Sequence, residues 1–354
     1  MSTPTVARKG ALIGCGFFSK NHLHAWAQLE GANIVALCDA NEDRLKEAAA
    51  QFGIARTYTS AENLFACEKL DFVDIATTVT SHRTLVEMAA RHGVPCICQK
   101  PFASTLADAV SMIDTCKQAG IPLMVHENFR WQSAIRAVRR AMDEGHIGKA
   151  FWGRVSFRSA FDVFTGQPYL ATEDRFILQD LGIHIIDIAR FLFGEVSTLS
   201  ASTTRINPAI RGEDVATLLM KHTGGVTSVV DCSYATATGN ELFPQTLIEI
   251  DGAAGTLRLG ADYQLTIHTR GGLTRVVDCS PPLLAWAQRP WHNIQESVLN
   301  IQAHWLQCLA DGSDPQTSGA DNLKTLLLVE KAYESAARQQ RTIDITEAMR
   351  SCAA

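Results

Sequence analysis

GALIGCGFFSKNHLHAWAQLEG, residues 10–31, combines three local signals. An apolar run ends in the pattern Gly14-x-Gly16-x-x-Ser19, and a helix-like segment follows at once. Ser19 stands where a third glycine or alanine is common. The run reads as a buried strand. The glycines allow a tight turn and close approach of backbone to a pyrophosphate. The helix start adds unpaired N–H groups and the positive end of its dipole. Taken alone, the pattern also fits an ordinary strand-to-helix turn.

The neighbouring sequence repeats the rhythm. Further apolar runs are ANIVALCD (32–39), DFVDIATT (71–78), VPCICQ (94–99) and IPLMVHEN (121–128). Between them lie helix-like stretches such as NEDRLKEAAAQFG (41–53) and TLADAVSMIDTCKQAG (105–120), each closed by a glycine that serves as a helix stop. Short strands alternating with helices of this length predict βαβ units and an N-terminal, doubly wound parallel sheet, an α/β class.

The rhythm changes near residue 126, which predicts a dinucleotide-binding domain over 1–126 and a second α/β domain over 127–354. AIRAVRRAMDEGHIG (134–148) is one more helix, stopped at Gly145. In AFWGRVSFRSAF (150–161), Trp152, Arg154, Ser156 and Arg158 alternate with Phe151, Val155 and Phe157, the period of a strand with one polar face. DLGIHIIDIARFLFG (180–194) reads as a helix. From 196 to 277 strand-like runs separated by turn residues predict an antiparallel sheet, and two long helices follow.

Composition sets the outer limits. A chain of 354 residues exceeds the size at which one core keeps growing, so two domains are expected. Net charge is −5, and no lysine or arginine run appears, which speaks against nucleic acid and anionic membrane as partners. The N-terminus shows no secretion signal, and no apolar run reaches the ~20 residues of a membrane span. The 10 cysteines are scattered without a C-x-x-C pair, as expected of free thiols in a reducing cytoplasm.

Three further features suggest chemistry. Asp39 ends the second strand about twenty residues past the glycines, where an acid receives ribose hydroxyls. Capping the helix near Asn41 is its other possible role. A carboxylate there repels a 2′-phosphate, so NAD⁺ is expected over NADP⁺. In CICQKPFAS (96–104), Lys100 surfaces at a strand end just before Pro101. In DLGIH, Asp180 and His184 are spaced for one helix face, as an acid/base pair or as a structural histidine with a neighbouring acid. His184 and Asp187 could be drawn as metal ligands, but no third ligand is apparent, and no metal is expected.

In this order these pieces resemble the Gfo/Idh/MocA family over nearly the whole chain. The resemblance rests on the turn at 14–19, ATTVTSH (76–82), QKP (99–101), HENFRW (126–131), DLGIH with Asp187, IDGAAGTLRL (250–259) and SGADNLKTLLLVEKAYESA (318–336). It implies a Rossmann domain followed by an α/β domain with a large, mostly antiparallel sheet. One face of that sheet covers the nicotinamide cleft and the other forms a homodimer or homotetramer interface. It implies catalysis by Lys100, Asp180 and His184. Gly14, Gly16, Phe17, Phe18 and Asp39 would hold the dinucleotide, and Thr77, Thr78, His82, Gln99, Lys100 and Asn128 would line its nicotinamide half.

Family members usually read Glu-Lys-Pro where this chain reads Gln99-Lys100-Pro101. The implied activity is NAD-dependent oxidation of a sugar at its anomeric hydroxyl, giving a lactone. Cyclitol oxidation and a non-catalytic NAD- and sugar-sensing role are the alternatives. Substrate hydrogen bonds are expected from Lys100, Asp180, His184, Arg158, Asp162 and Tyr169. Phe161 and Phe164 would offer flat faces to the sugar or serve simply as core.

Overall fold

The computed structural model describes residues 7–237 and 245–348. Residues 1–6, part of the stretch read for a secretion signal, lie outside the described residues. The chain divides into two compact units, Met1–Asn128 with Val298–Leu323, and Phe129–Ser297 with Lys324–Ala354.

In the first unit the alternation gives β1 (Arg8–Ile13), α1 (Ser19–Gln28), β2 (Ala32–Cys38), α2 (Glu42–Phe52), β3 (Arg56–Tyr58), α3 (Ala61–Cys67), β4 (Phe72–Ile75), α4 (Val79–Arg91), β5 (Cys96–Gln99), α5 (Leu106–Gln118) and β6 (Leu123–His126). The sheet order is β3-β2-β1-β4-β5-β6, parallel throughout. This is the doubly wound arrangement, whose strand order reverses beside β1 and opens a ligand crevice at the carboxyl ends. Leu12, Leu23, Leu37 and Leu45 form a buried core cluster under the glycine turn. Side-chain caps start α2, α3 and α5: Asn41, Ser60 and Thr105 each accept a backbone N–H of the first turn.

The second unit runs α6 (Ser133–Asp143), β7 (Ala150–Arg158), α7 (Ile183–Phe193), β8 (Val196–Thr204), β9 (Val215–His222), β10 (Thr227–Ser233), β11 (Leu247–Gly252), β12 (Gly255–Leu259), β13 (Gln264–Thr269) and β14 (Thr274–Asp278). Helix α8 (His292–Asp311) begins in this unit and continues in the first from Val298, α9 (Gly319–Ala337) belongs to this unit from Lys324, and the short β15 (Ile343–Asp344) follows. Its nine strands are ordered β14-β13-β12-β11-β7-β10-β9-β8-β15. All pairs are antiparallel except β7 with β10. Helix α7 packs on β7 and β10.

The first unit ends at Asn128, close to the expected boundary near 126, and residues 298–323 also group with it. Local bonds explain this. Val125 donates its N–H to the Thr317 carbonyl at 2.7 Å, and the Thr317 hydroxyl returns a bond to the Val125 carbonyl at 2.8 Å. Met124 and Ser318 form an antiparallel bridge, so this segment extends the pairing at the β6 edge. Among the described residues, nine cysteines are free, all but Cys67 buried. No helix among them is long and apolar enough to cross a membrane.

Candidate active site

In the first unit the candidate residues gather at the carboxyl ends of β1, β2, β4, β5 and β6. Gly14 has φ +100°, and a Cβ there would lie 2.7 Å from the Ala76 main chain, so the turn requires glycine. A Cβ on Gly16 would meet nothing, which leaves open space above the turn. Phe18 precedes α1 without capping it through its side chain, and Phe17 beside it is exposed. Asp39 does not cap α2; its carboxylate braces the turn and the residue that does. One carboxylate oxygen accepts the Cys15 N–H at 2.6 Å and the other the Asn41 N–H at 2.7 Å. Asn41 itself caps α2. Two bonds use half of a carboxylate's roughly four acceptor positions, so Asp39 can still receive two hydroxyls. Burial, then the Asp39 charge, pushes the Cys15 thiol up to about 12. A glycine cradle, an uncapped helix start and an acid with spare acceptor positions fit an adenine dinucleotide.

Thr77, half-buried, accepts the Ser81 hydroxyl at 2.7 Å, and Thr78 is exposed at the start of α4. His82 is buried, with one ring nitrogen 3.1 Å from the Thr77 carbonyl and the other 3.3 Å from the Phe102 carbonyl. It therefore braces the loops after β4 and β5 rather than lining a surface, and burial lowers its pKa. Asn128 is buried beyond the end of β6. Gln99 and Lys100 are half-buried at the end of β5, and the Lys100–Pro101 peptide is cis.

In the second unit, Asp180 lies in a wide π-helical turn, Leu178–Gly182, that runs directly into α7. Such turns recur at functional sites because they interrupt the regular register of a helix. The carboxylate of Glu213 holds the turn's entrance, accepting the N–H groups of Phe176 and Leu178 and the Tyr333 hydroxyl. A Cβ on Gly182 would lie 3.0 Å from Leu178 and 3.6 Å from the Cys232 sulfur, so glycine lets the helix start sit close to β10. His184 is buried and stacks on Phe129, with ring centroids 3.8 Å apart and planes 5° apart. Asp187 takes a bidentate bond from the buried Arg130 guanidinium and another from Thr325. These bonds tie α7 to Arg130 and to Thr325 of α9.

Not all proposed substrate residues join this cluster. Arg158 lies on the opposite face of the sheet. Phe157 packs against Phe129 on the side that carries α7, and Arg158 alternates away from it. Its guanidinium bonds Asp231 at 3.2 Å, beside Arg154 and Ser156. Arg158 also lines a shallow cavity of about 350 Å³ on that outer face, with Trp152, Thr217 and Glu249. Asp162 is spent on its own loop, accepting the N–H groups of Phe164 and Thr165 and the Thr165 hydroxyl. Phe161 sits edge-on to Trp291, and Phe164 packs on the buried Phe176.

The Tyr169 hydroxyl donates to Gln167 Oε1 at 2.9 Å and lies within reach of the Asp180 charge. Desolvation, then the Asp180 and Glu173 charges, pushes this hydroxyl up to about 12. Tyr234, which sequence reasoning missed, is raised by burial and then by the same Asp180 carboxylate. Its ring stacks on Phe176. The signal was the polar aromatic just past the apolar run of β10. Among the described residues, no group of three or more His, Cys, Asp or Glu side chains could hold a metal ion.

Comparison with known proteins follows the same division. The N-terminal pattern of the GFO/IDH/MocA oxidoreductase family, an NAD-binding Rossmann fold, matches residues 8–127. The family's C-terminal domain matches residues 135–258. A D-apiose dehydrogenase of Paraburkholderia graminis is 65% identical, over 97% of this chain and 92% of its own length. A D-apiose dehydrogenase of Rhizobium rhizogenes is 62% identical, over 95% and 97% respectively. Among solved structures, an oxidoreductase from Agrobacterium radiobacter in complex with NAD⁺, L-tartaric acid and magnesium superposes with a TM-score of 0.95 at 60% identity, covering 97% of this chain and 99% of that one.

Proposed function

This chain belongs to the Gfo/Idh/MocA family of NAD-binding oxidoreductases, and from that premise we propose that it oxidises the anomeric hydroxyl of D-apiose to the lactone. At the coarser level it is an NAD-dependent sugar dehydrogenase acting on a CH–OH group. The observation that carries the choice of sugar is the chain-long likeness to the two D-apiose dehydrogenases.

NAD⁺ supplies the hydride acceptor. His184 takes the proton of the anomeric hydroxyl as general base, and the stacked Phe129 ring holds its imidazole in one plane. Lys100, as an ammonium, donates a hydrogen bond to the reacting oxygen and stabilises the negative charge that grows as the proton leaves. Asp180 accepts a sugar hydroxyl, and its charge reaches the phenols of Tyr169 and Tyr234. The free, mostly buried cysteines suit work in a reducing cytoplasm.

A panel of aldoses and cyclitols with NAD⁺, followed by NADH absorbance, tests this directly. D-apiose should give the highest kcat/KM, with a lactone released. Faster turnover of a cyclitol would overturn the choice of substrate, and no turnover of any sugar would favour a sensor. Lys100→Met should lower kcat by about a thousandfold, in line with loss of an electrostatic donor, while NAD⁺ binding persists.

A further inference from the structure

Gln99 is half-buried at the end of β5, one residue before Lys100. Its side-chain oxygen accepts the Lys100 backbone N–H at 2.7 Å. An N–H can donate only to the oxygen, so this bond fixes which way the carboxamide points. The NH₂ group therefore faces Nε2 of His22, 3.1 Å away. An NH₂ group only donates, so Nε2 must present a lone pair.

The consequence passes along a buried chain. With Nε2 accepting, the proton of the imidazole sits on Nδ1, 2.8 Å from Oδ2 of Asp74. The same oxygen accepts the Trp26 indole N–H at 2.7 Å. His22 and Asp74 are fully buried and Trp26 nearly so. The imidazole is held on its other sides by His126, stacked at 4.1 Å, and by the edge of Phe18 at 5.5 Å. The titratable groups around it are thus Asp74 from β4 and His126 from β6. Cys98 of β5 is close enough to Asp74 that burial and that charge raise its thiol. Lys100 and Glu127 follow Gln99 and His126 in the chain.

We infer that Gln99 is a positioning residue, whose carboxamide pins the main chain of Lys100 while holding His22 as the neutral Nδ1–H tautomer braced on Asp74. The neutral amide is what the arrangement demands. A carboxylate at 99 could still accept the Lys100 N–H, but it would offer His22 a second acceptor and draw a second proton onto the ring. The link from a pinned main chain to turnover rests on the role proposed for Lys100. The tautomer does not.

The test therefore has two arms. In ¹⁵N-histidine-labelled full-length protein, with His22 assigned from the spectrum of His22→Gln, the wild type should show an Nδ1–H ring with a bare Nε2. Gln99→Glu, in the same buffer, should add a proton at Nε2 and give the imidazolium. An Nε2–H ring or an imidazolium in the wild type would overturn the inference, as would an unchanged ring in Gln99→Glu.

In the kinetic arm, Gln99→Leu, which removes both bonds, should lower kcat for the sugar about tenfold with little change in KM. Gln99→Glu should recover much of that loss near neutral pH, with an altered pH profile. Wild-type kcat in Gln99→Leu would sink the positioning role. A wild type that oxidises no sugar would remove the functional reading alone, since the tautomer is read without substrate.

Discussion

Asp187 and His184 lie on the same helix, three residues apart, yet they have different roles. Asp187 is buried and takes a bidentate bond from Arg130, whose guanidinium also lies over the Phe191 ring. Removing the carboxylate would leave a buried cation without its partner. Asp187→Ala should therefore lower unfolding stability by about 3–5 kcal/mol, read from the urea midpoint. An unchanged midpoint with lost turnover would instead make Asp187 part of the chemistry. Single residues were unevenly legible in the sequence. The turn at Gly14 and the place of Asp39 at the end of β2 could be read because a turn and a strand end allow few alternatives. Arg158 was misplaced as a substrate residue although its own alternation with Phe157 already put it on the polar face. Tyr234 was missed because its position beside Asp180 depends on packing between distant segments.

At the scale of elements, the helix that follows Asp180 and carries His184 was legible in DLGIHIIDIARFLFG, but the wide turn that begins it was not. Nothing local in LQDLG marks a π turn, since its cause is tertiary. Glu213, from the connection between β8 and β9, reaches the two N–H groups at the entrance and the Tyr333 hydroxyl of α9 together. The Glu213 charge also pushes Tyr333 up, after burial itself. Glu213→Ala would leave these donors without that acceptor, at a cost of about 1–3 kcal/mol for a buried unsatisfied group. Because the same turn presents Asp180, the variant should also lose kcat for the sugar more than it loses NAD⁺ affinity. Thermal unfolding and NAD⁺ titration read the two effects separately. Equal losses of sugar turnover and NAD⁺ binding would contradict this placement.

At the scale of the whole molecule, the α/β class and both sheets were legible because strand and helix periods differ. The return of 298–323 to the first unit was not, since it depends on a pairing between β6 and a segment nearly two hundred residues away. The second unit's sheet carries the last consequence. Helix α7 covers one face at β7 and β10, while the other presents Leu219, Leu247 and Val276 to solvent between charged pairs. Those pairs are Arg154 with Asp231 and Arg258 with Asp251. Exposed apolar side chains among charges already paired within the chain suit an isologous contact, in which a second copy places the same face against this one.

Such a contact needs about 1,600 Å² of total buried surface to be stable, an area within reach of a face spread over nine strands. We therefore expect a homodimer or homotetramer through this sheet. Light scattering after gel filtration should give a mass at least twice the 38.6 kDa chain. Leu219→Asp, which sets an unpaired charge into the apolar part of the contact, should shift the mass toward that of one chain. Because Leu219 points away from the side that bears His184, the dissociated protein should still bind NAD⁺. A wild type that elutes as a single chain would overturn the assembly, and an oligomer unmoved by Leu219→Asp would place the contact elsewhere.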